Sequence, residues 1–151
     1  MDILIINGPN LNMLGKREPA VYGNVSYDEL VDLIHQWSDS LGTSVRVFQS
    51  NSEGDIIDAI QEARGYDGII INAGGYTHTS VGVRDALLSV GLPVIEVHLS
   101  NIFSREEFRK RSFISDIAIG VITGFGTTGY RLALIALHEH LTAKKHVKDK
   151  N

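Results

Sequence analysis

Short runs of apolar, mostly β-branched residues alternate with amphipathic stretches from one end of the chain to the other, and this alternation constrains the fold more than any other feature. The runs cover residues 3–6, 45–48, 69–72, 94–98 and 117–123. Stretches such as Ile69-Ile70-Ile71 are apolar without a break, the pattern of a strand covered on both faces. Between the runs, Leu30, Ile34, Trp37 and Leu41 recur at i, i+4, i+7 and i+11 and so share one face of a helix. Ser26 and Glu29 stand ahead of that face with the spacing of a capping box. Ile56, Ile57, Ile60 and Ala63 predict a second helix with Gly65 as its stop signal. Val83, Ala86, Leu87 and Val90 predict a third, closed by Gly91 before Pro93. The last helix is expected over about residues 129–142, and its stretch from Leu132 to Leu137, apolar on most sides, is expected to be well buried.

Repeated strand-then-helix units imply parallel pairing with right-handed crossovers. Five such strands most simply form an α/β, flavodoxin-like three-layer αβα sandwich with a five-stranded parallel sheet of order 2-1-3-4-5. At 151 residues the chain suits a single domain over 1–151. Ligands in such folds sit beyond the carboxyl ends of the strands, near the point where strand order reverses. The segments leaving strands 1, 3 and 4 are therefore where chemistry is expected. The first of these, 7–25, has neither helical nor strand periodicity, although connections of this class usually run ~2–6 residues. Its glycines, prolines and apolar residues predict a binding loop that docks. The charged tail, 144–151, is expected to fray.

Composition narrows the function classes. The chain has no cysteine, which excludes disulfides, thiolate metal sites and a cysteine nucleophile, and fits a reducing cytoplasm. No run approaches the ~18 apolar residues of a membrane helix. The start, Met1-Asp2-Ile3-Leu4-Ile5-Ile6, is expected to be too short and acidic for a secretion signal. A net charge of −4 argues against broad nucleic-acid binding. A small anion remains compatible, because a few arginines can dominate the field of a cleft.

Three constellations could carry chemistry. Glu96 and His98 lie two apart on the fourth strand and so point to the same side, where the carboxylate can orient the imidazole and favour its protonated form. A buried structural pair would read the same way. Asn72 ends the third strand, and Gly74, Gly75, His78 and Ser80 follow, combining backbone access with polar groups; helix capping accounts for part of that stretch. Arg17 and Tyr22 share the long loop, where a guanidinium beside the phenol would favour a tyrosinate base.

Other patterns argue for less. Gly124-Phe125-Gly126-Thr127-Thr128-Gly129 matches a dinucleotide fingerprint, but the acidic residue and further strand that such a site needs do not follow, so it reads as a tight strand–helix turn. Ser80, His98 and Asp85 lack a nucleophile elbow. His78, Glu96 and His98 lack metal-ligand spacing on a helix.

Taken together the segments resemble one family, the type II 3-dehydroquinate dehydratases. The resemblance is carried by Asn7-Gly8-Pro9-Asn10-Leu11-Asn12 with Leu14-Gly15-x-Arg17-Glu18-Pro19-x-x-Tyr22-Gly23. Gln49-Ser50-Asn51-Ser52-Glu53-Gly54 and Ile71-Asn72-Ala73-Gly74-Gly75-Tyr76-Thr77-His78-Thr79-Ser80 follow. Glu96-Val97-His98-Leu99-Ser100-Asn101 and Arg105-Glu106-Glu107-Phe108-Arg109 complete the match in order. No functional position departs from the pattern.

The resemblance implies dehydration of 3-dehydroquinate to 3-dehydroshikimate in the shikimate pathway, through an enolate and without a cofactor or metal. It implies Tyr22 as the base at C2, Arg17 as its activating cation, and a water near Asn10 that stabilises the enolate. His98, oriented by Glu96, is the implied acid for the C1 hydroxyl. Asn72, His78, Arg109 and the backbone of Leu99 and Ser100 are implied on the substrate's carboxylate and hydroxyls. Asp85 is implied to reach the site from a neighbouring subunit of a dodecamer built from trimers. A competing expectation, a flavodoxin-like binding protein without catalysis, has no need of Tyr22 and Arg17 together with His98.

Overall fold

The computed structural model describes residues 1–16, 20 and 24–148. Five strands, β1 (Asp2–Asn7), β2 (Ser44–Gln49), β3 (Gly68–Asn72), β4 (Val94–His98) and β5 (Gly120–Thr123), form an all-parallel sheet of order β2-β1-β3-β4-β5. Among the described residues four α-helices follow strands or the long loop: α1 (Tyr27–Ser40), α2 (Glu53–Gln61), α3 (Val81–Val90) and α4 (Thr128–Lys148). The expected flavodoxin-like α/β architecture and strand order are those observed.

Successive side chains of a strand point to opposite faces, and each face here has its own core. Ile3 and Ile5 of β1 join Ile70, Ile95, Leu30, Ile34, Leu134 and Leu137 beneath α1 and α4. Leu4 and Ile6 join Ile69, Ile71, Ile56, Ile60, Val83 and Leu87 beneath α2 and α3. An unbroken apolar run is what a strand with two cores requires. Burying one such side chain contributes about 1.5–3 kcal/mol, so the central strands are the most firmly held part of the molecule.

The helix boundaries follow from their caps. Ser26 accepts from the Glu29 amide while Glu29 accepts from the Ser26 amide, satisfying two amides that a helix start leaves without partners. Helix α3 ends on Gly91 at φ 65°, a left-handed position that glycine occupies without strain.

Four expectations need correction. Helix α2 stops at Gln61, with Gly65 beyond it in a turn at φ 106°. Strand β5 starts at Gly120, because the amides of Ile117 and Ala118 bond back to Ile114 in a turn. The apolar side chains of Ile114 and Ile117 nevertheless pack into the α2/α3 core, which is why that segment resembles strand. Helix α4 runs on as far as Lys148, into the supposed frayed tail, and turns Leu132 outward at 38% exposure, so it is buried along one face only. Asn7 belongs to β1, and the segment after it forms a 3-10 turn at Leu11–Met13 before α1.

Candidate active site at the carboxyl edge of the sheet

The connections leaving β1, β3 and β4 meet around a cavity of about 160 Å3, lined by Asn10, Asn72, His78, His98, Leu99, Ser100, Arg105 and Arg109, with Pro9, Leu11 and Leu14 supplying apolar wall. Two close backbone approaches shape it. A Cβ on Gly8 would lie 2.3 Å from the carbonyl oxygen of Ala73, and Gly74, at φ 57°, lies against the Pro9 carbonyl. Only glycine permits the loops after β1 and β3 to pack backbone to backbone in this way.

Glu96 and His98 share a face of β4, and both are buried. Glu96 Oε1 lies 3.1 Å from His98 Nε2, at ion-pair range but without the alignment of a linear hydrogen bond. The Ser112 hydroxyl donates to Glu96 Oε1 at 2.6 Å, and the Ser115 hydroxyl donates to Oε2. Burial opposes ionisation of Glu96, but His98 and the two hydroxyls together outweigh it and hold the carboxyl below its usual range. The carboxylate is thus held on both oxygens, and one imidazole nitrogen is engaged while the other remains for a ligand.

The turn carrying both serines is itself anchored. Ser112 Oγ accepts from the amides of Ile114 and Ser115. Arg84 of α3 grips the segment through Asp116, at 2.5 and 3.0 Å, and through the Phe113 carbonyl at 2.8 Å.

His78 ends a 3-10 turn at Gly74–His78, and its ring stacks 6.3 Å from that of His98. Burial lowers its pKa, helped by the neighbouring His98 and Arg109 and opposed by the Arg111 carbonyl and Glu96. Nδ1 lies 2.7 Å from the Arg111 carbonyl oxygen. A carbonyl only accepts, so Nδ1 carries the proton, and Nε2 of the neutral ring is an acceptor. The two histidines of the cleft therefore sit in different surroundings, one against a carboxylate and one against a carbonyl. Arg109 is aligned by Glu106 at 2.7 Å, and Arg105 reaches Ser100 Oγ at 3.4 Å. Two guanidiniums beside neutral donors and acceptors suit a small hydroxylated anion.

The family model described as dehydroquinase class II matches residues 1–138. This chain belongs to that family. A 3-dehydroquinate dehydratase of Prochlorococcus marinus (strain NATL1A) is 54% identical over 142 residues, spanning 93% of this chain and 98% of the relative. Another from Gloeothece citriformis (strain PCC 7424) is 55% identical over 92% of each. Among solved structures, the type II dehydroquinase from Butyrivibrio crossotus DSM 2876 superimposes with a TM-score of 0.89 at 51% identity, covering 91% of this chain and 97% of that one.

Of the residues expected in the site of this class II dehydroquinase chain, Asn10, Asn72, His78, His98, Leu99, Ser100 and Arg109 border the one cavity, with Glu96 behind His98. Asn10 adopts the left-handed conformation at φ 70°, and its amide bonds to Asn51 Oδ1 at 3.0 Å. Asp85 lies on the exposed face of α3 and is not part of the cavity wall. Arg17 and Tyr22 lie outside the described residues. Sequence reasoning gave no role to Arg105, Ser112 or Ser115. Arg105 stood in a matched block; the serines lie in a stretch without periodicity, and nothing local marks them.

Proposed function

We propose that the chain is a 3-dehydroquinate dehydratase, converting 3-dehydroquinate to 3-dehydroshikimate as a step of the shikimate pathway. The observation that carries this reading is the His98 imidazole backed by an ionised Glu96 in the wall of a cleft that also holds Asn72, His78 and Arg109, in a chain of this family.

Eliminating water from a β-hydroxyketone needs a base at the α-carbon, stabilisation of the enolate, and an acid for the leaving hydroxyl. Tyr22, as tyrosinate beside Arg17, takes the proton from C2, and the electron pair moves into the ketone to form an enolate. A water held near Asn10 stabilises that charge. The enolate then collapses to form the C1–C2 double bond, and the C1 hydroxyl departs as water with a proton from His98. One proton and one hydroxide are lost and nothing is oxidised or reduced, so the balance calls for no cofactor. Arg109, Asn72, neutral His78 and the backbone of Leu99 and Ser100 hold the substrate's carboxylate and hydroxyls.

In this reading the 7–25 loop is a lid over the cleft, excluding water during the elimination. The chain is a single domain that works in the cytoplasm as a dodecamer built from trimers, with Asp85 completing a neighbour's cleft. An active monomer in solution would contradict the shared site. Among the described residues no helix is long and apolar enough to cross a membrane.

The test is to add 3-dehydroquinate and follow the ultraviolet absorbance of the conjugated enone, with Tyr22→Phe as control. Wild type should generate the absorbance, while Tyr22→Phe binds substrate but turns over almost none. A silent wild type would end the enzyme reading, and a fully active Tyr22→Phe would remove Tyr22 as base.

A further inference from the structure

Below the cleft runs a buried hydrogen-bond chain that ties Asn72 to two residues the proposed mechanism leaves unused, Asn7 and Tyr130. Asn7 ends β1 and Asn72 ends β3, and the two are paired in register on neighbouring strands. Both are buried, as is Tyr130 near the start of α4. The Tyr130 hydroxyl lies 2.5 Å from Asn7 Oδ1 and 3.0 Å from Asn72 Nδ2. Asn72 Oδ1 lies 3.3 Å from the Gly74 amide nitrogen.

The direction of this chain is determined by its backbone end. The Gly74 amide can only donate, so the oxygen of Asn72 must face it and the Asn72 nitrogen must face Tyr130. The phenol oxygen then accepts from Asn72, and its single proton must go to Asn7. A flipped Asn72 would set donor against donor at Gly74. Burial pushes the Tyr130 phenol far above its usual pKa, so the proton that fixes this polarity stays in place. With those bonds made, Asn72 has one N–H and one oxygen lone pair left, and Asn72 borders the cleft.

We propose that Tyr130 is a positioning residue for substrate recognition: its hydroxyl holds the Asn72 amide in the single orientation that presents those two remaining groups to a substrate hydroxyl. The inference rests on the reading of the cleft as a dehydroquinate site and adds to it a residue outside the cavity wall. A purely structural role is a poor account of the hydroxyl. Phenylalanine would fill the same space between α4 and the sheet, and among the described residues the hydroxyl's hydrogen-bond partners are the two asparagine side chains at the strand ends.

The test is a double-mutant cycle read in KM. Tyr130→Phe keeps the ring but frees the Asn72 amide, and losing one oriented hydrogen bond should raise KM for 3-dehydroquinate by roughly 2- to 12-fold, with a smaller change in kcat. Asn72→Ala should raise KM on its own. Adding Tyr130→Phe to Asn72→Ala should then raise it no further, because the hydroxyl acts only through that amide. Should Tyr130→Phe fail to fold, Asn7→Ala breaks the same chain from its far end and is judged by the same two criteria. Additive effects in the cycle, or a single variant with wild-type KM, would overturn the proposal while leaving the enzyme reading intact. A wild type that does not turn over dehydroquinate would instead overturn the enzyme reading, and this proposal with it.

Discussion

Removing the Ser115 hydroxyl isolates what holds Glu96 ionised. In Ser115→Ala the backbone amide that donates to Ser112 Oγ is unchanged, so the turn keeps its shape and only the donor to Glu96 Oε2 is lost. The Glu96 side chain is fully buried, so losing a donor to its charge is costly. A hydrogen bond to a charged group contributes about 1.5–3 kcal/mol. Losing it weakens what holds the carboxyl ionised, so the pH at which Glu96 takes up its proton should rise in the variant.

The sign follows from linkage. The carboxyl of Glu96 is held below its ordinary value in the folded chain. Its contribution to stability is therefore present above the unfolded value and is lost as pH falls through the folded one. Ser115→Ala should thus cost about 1.5–3 kcal/mol at neutral pH, a fall in Tm of roughly 3–12 °C for a chain of this size. The deficit should shrink in acid, where the carboxyl is protonated in both proteins. His98 and, more remotely, His78 are the ionisable side chains facing Glu96. The assay is kcat against pH, together with thermal unfolding at the same pH values. An acid limb displaced upward, with a Tm difference that narrows in acid, is the expected result. A uniform loss of kcat with an unmoved limb and a pH-independent Tm difference would refute the idea that Ser115 acts through the charge on Glu96.

Other perturbations have equally definite outcomes. His98→Ala should lower kcat by about 10²- to 10⁴-fold, the usual contribution of a positioned acid, while substrate still binds in equilibrium titration; near-normal turnover would remove His98 as the acid. Gly8→Ala should disturb the cleft more than the core, because its methyl group would meet the Ala73 carbonyl at 2.3 Å; activity equal to wild type would contradict that packing. Ser26→Ala should cost about 1 kcal/mol through loss of the capping box, a Tm fall of some 2–4 °C, and an unchanged melting curve would show the box to be idle.

The sheet was legible in the sequence because two-sided burial leaves no polar alternation to interpret, and runs such as Ile69–Ile71 have no other ready explanation. The same rule misjudged the approach to β5, since Ile114 and Ile117 are core residues supplied from a turn. Apolar character reports burial and not backbone conformation. In the site, Glu96 and His98 could be paired from sequence because both lie on one strand at the pleat's own period. Their supports could not. Ser112 and Ser115 reach Glu96 across 16 and 19 residues, and Tyr130 reaches Asn72 across 58. No local pattern encodes a contact made by the folding back of a later segment.

That difference bears on how the site divides its work. His98 stands on a central strand with a carboxylate behind it, that carboxylate has a hydroxyl on each oxygen, and the hydroxyls sit in a turn gripped by Arg84. Asn72 likewise ends a strand and is fastened to Tyr130 and to the Gly74 amide. Each group is fixed by partners that are themselves fixed, so little rearrangement remains to be made on this side when charge moves in the reaction, which is how preorganised dipoles lower a barrier. In the proposed mechanism the base belongs to the loop leaving β1 and the acid to the sheet, so the two halves are perturbed separately. Loosening the sheet half should then lower kcat in proportion to the charge it stabilises. Stiffening or shortening the loop should instead change kcat and KM together, as hinge variants do.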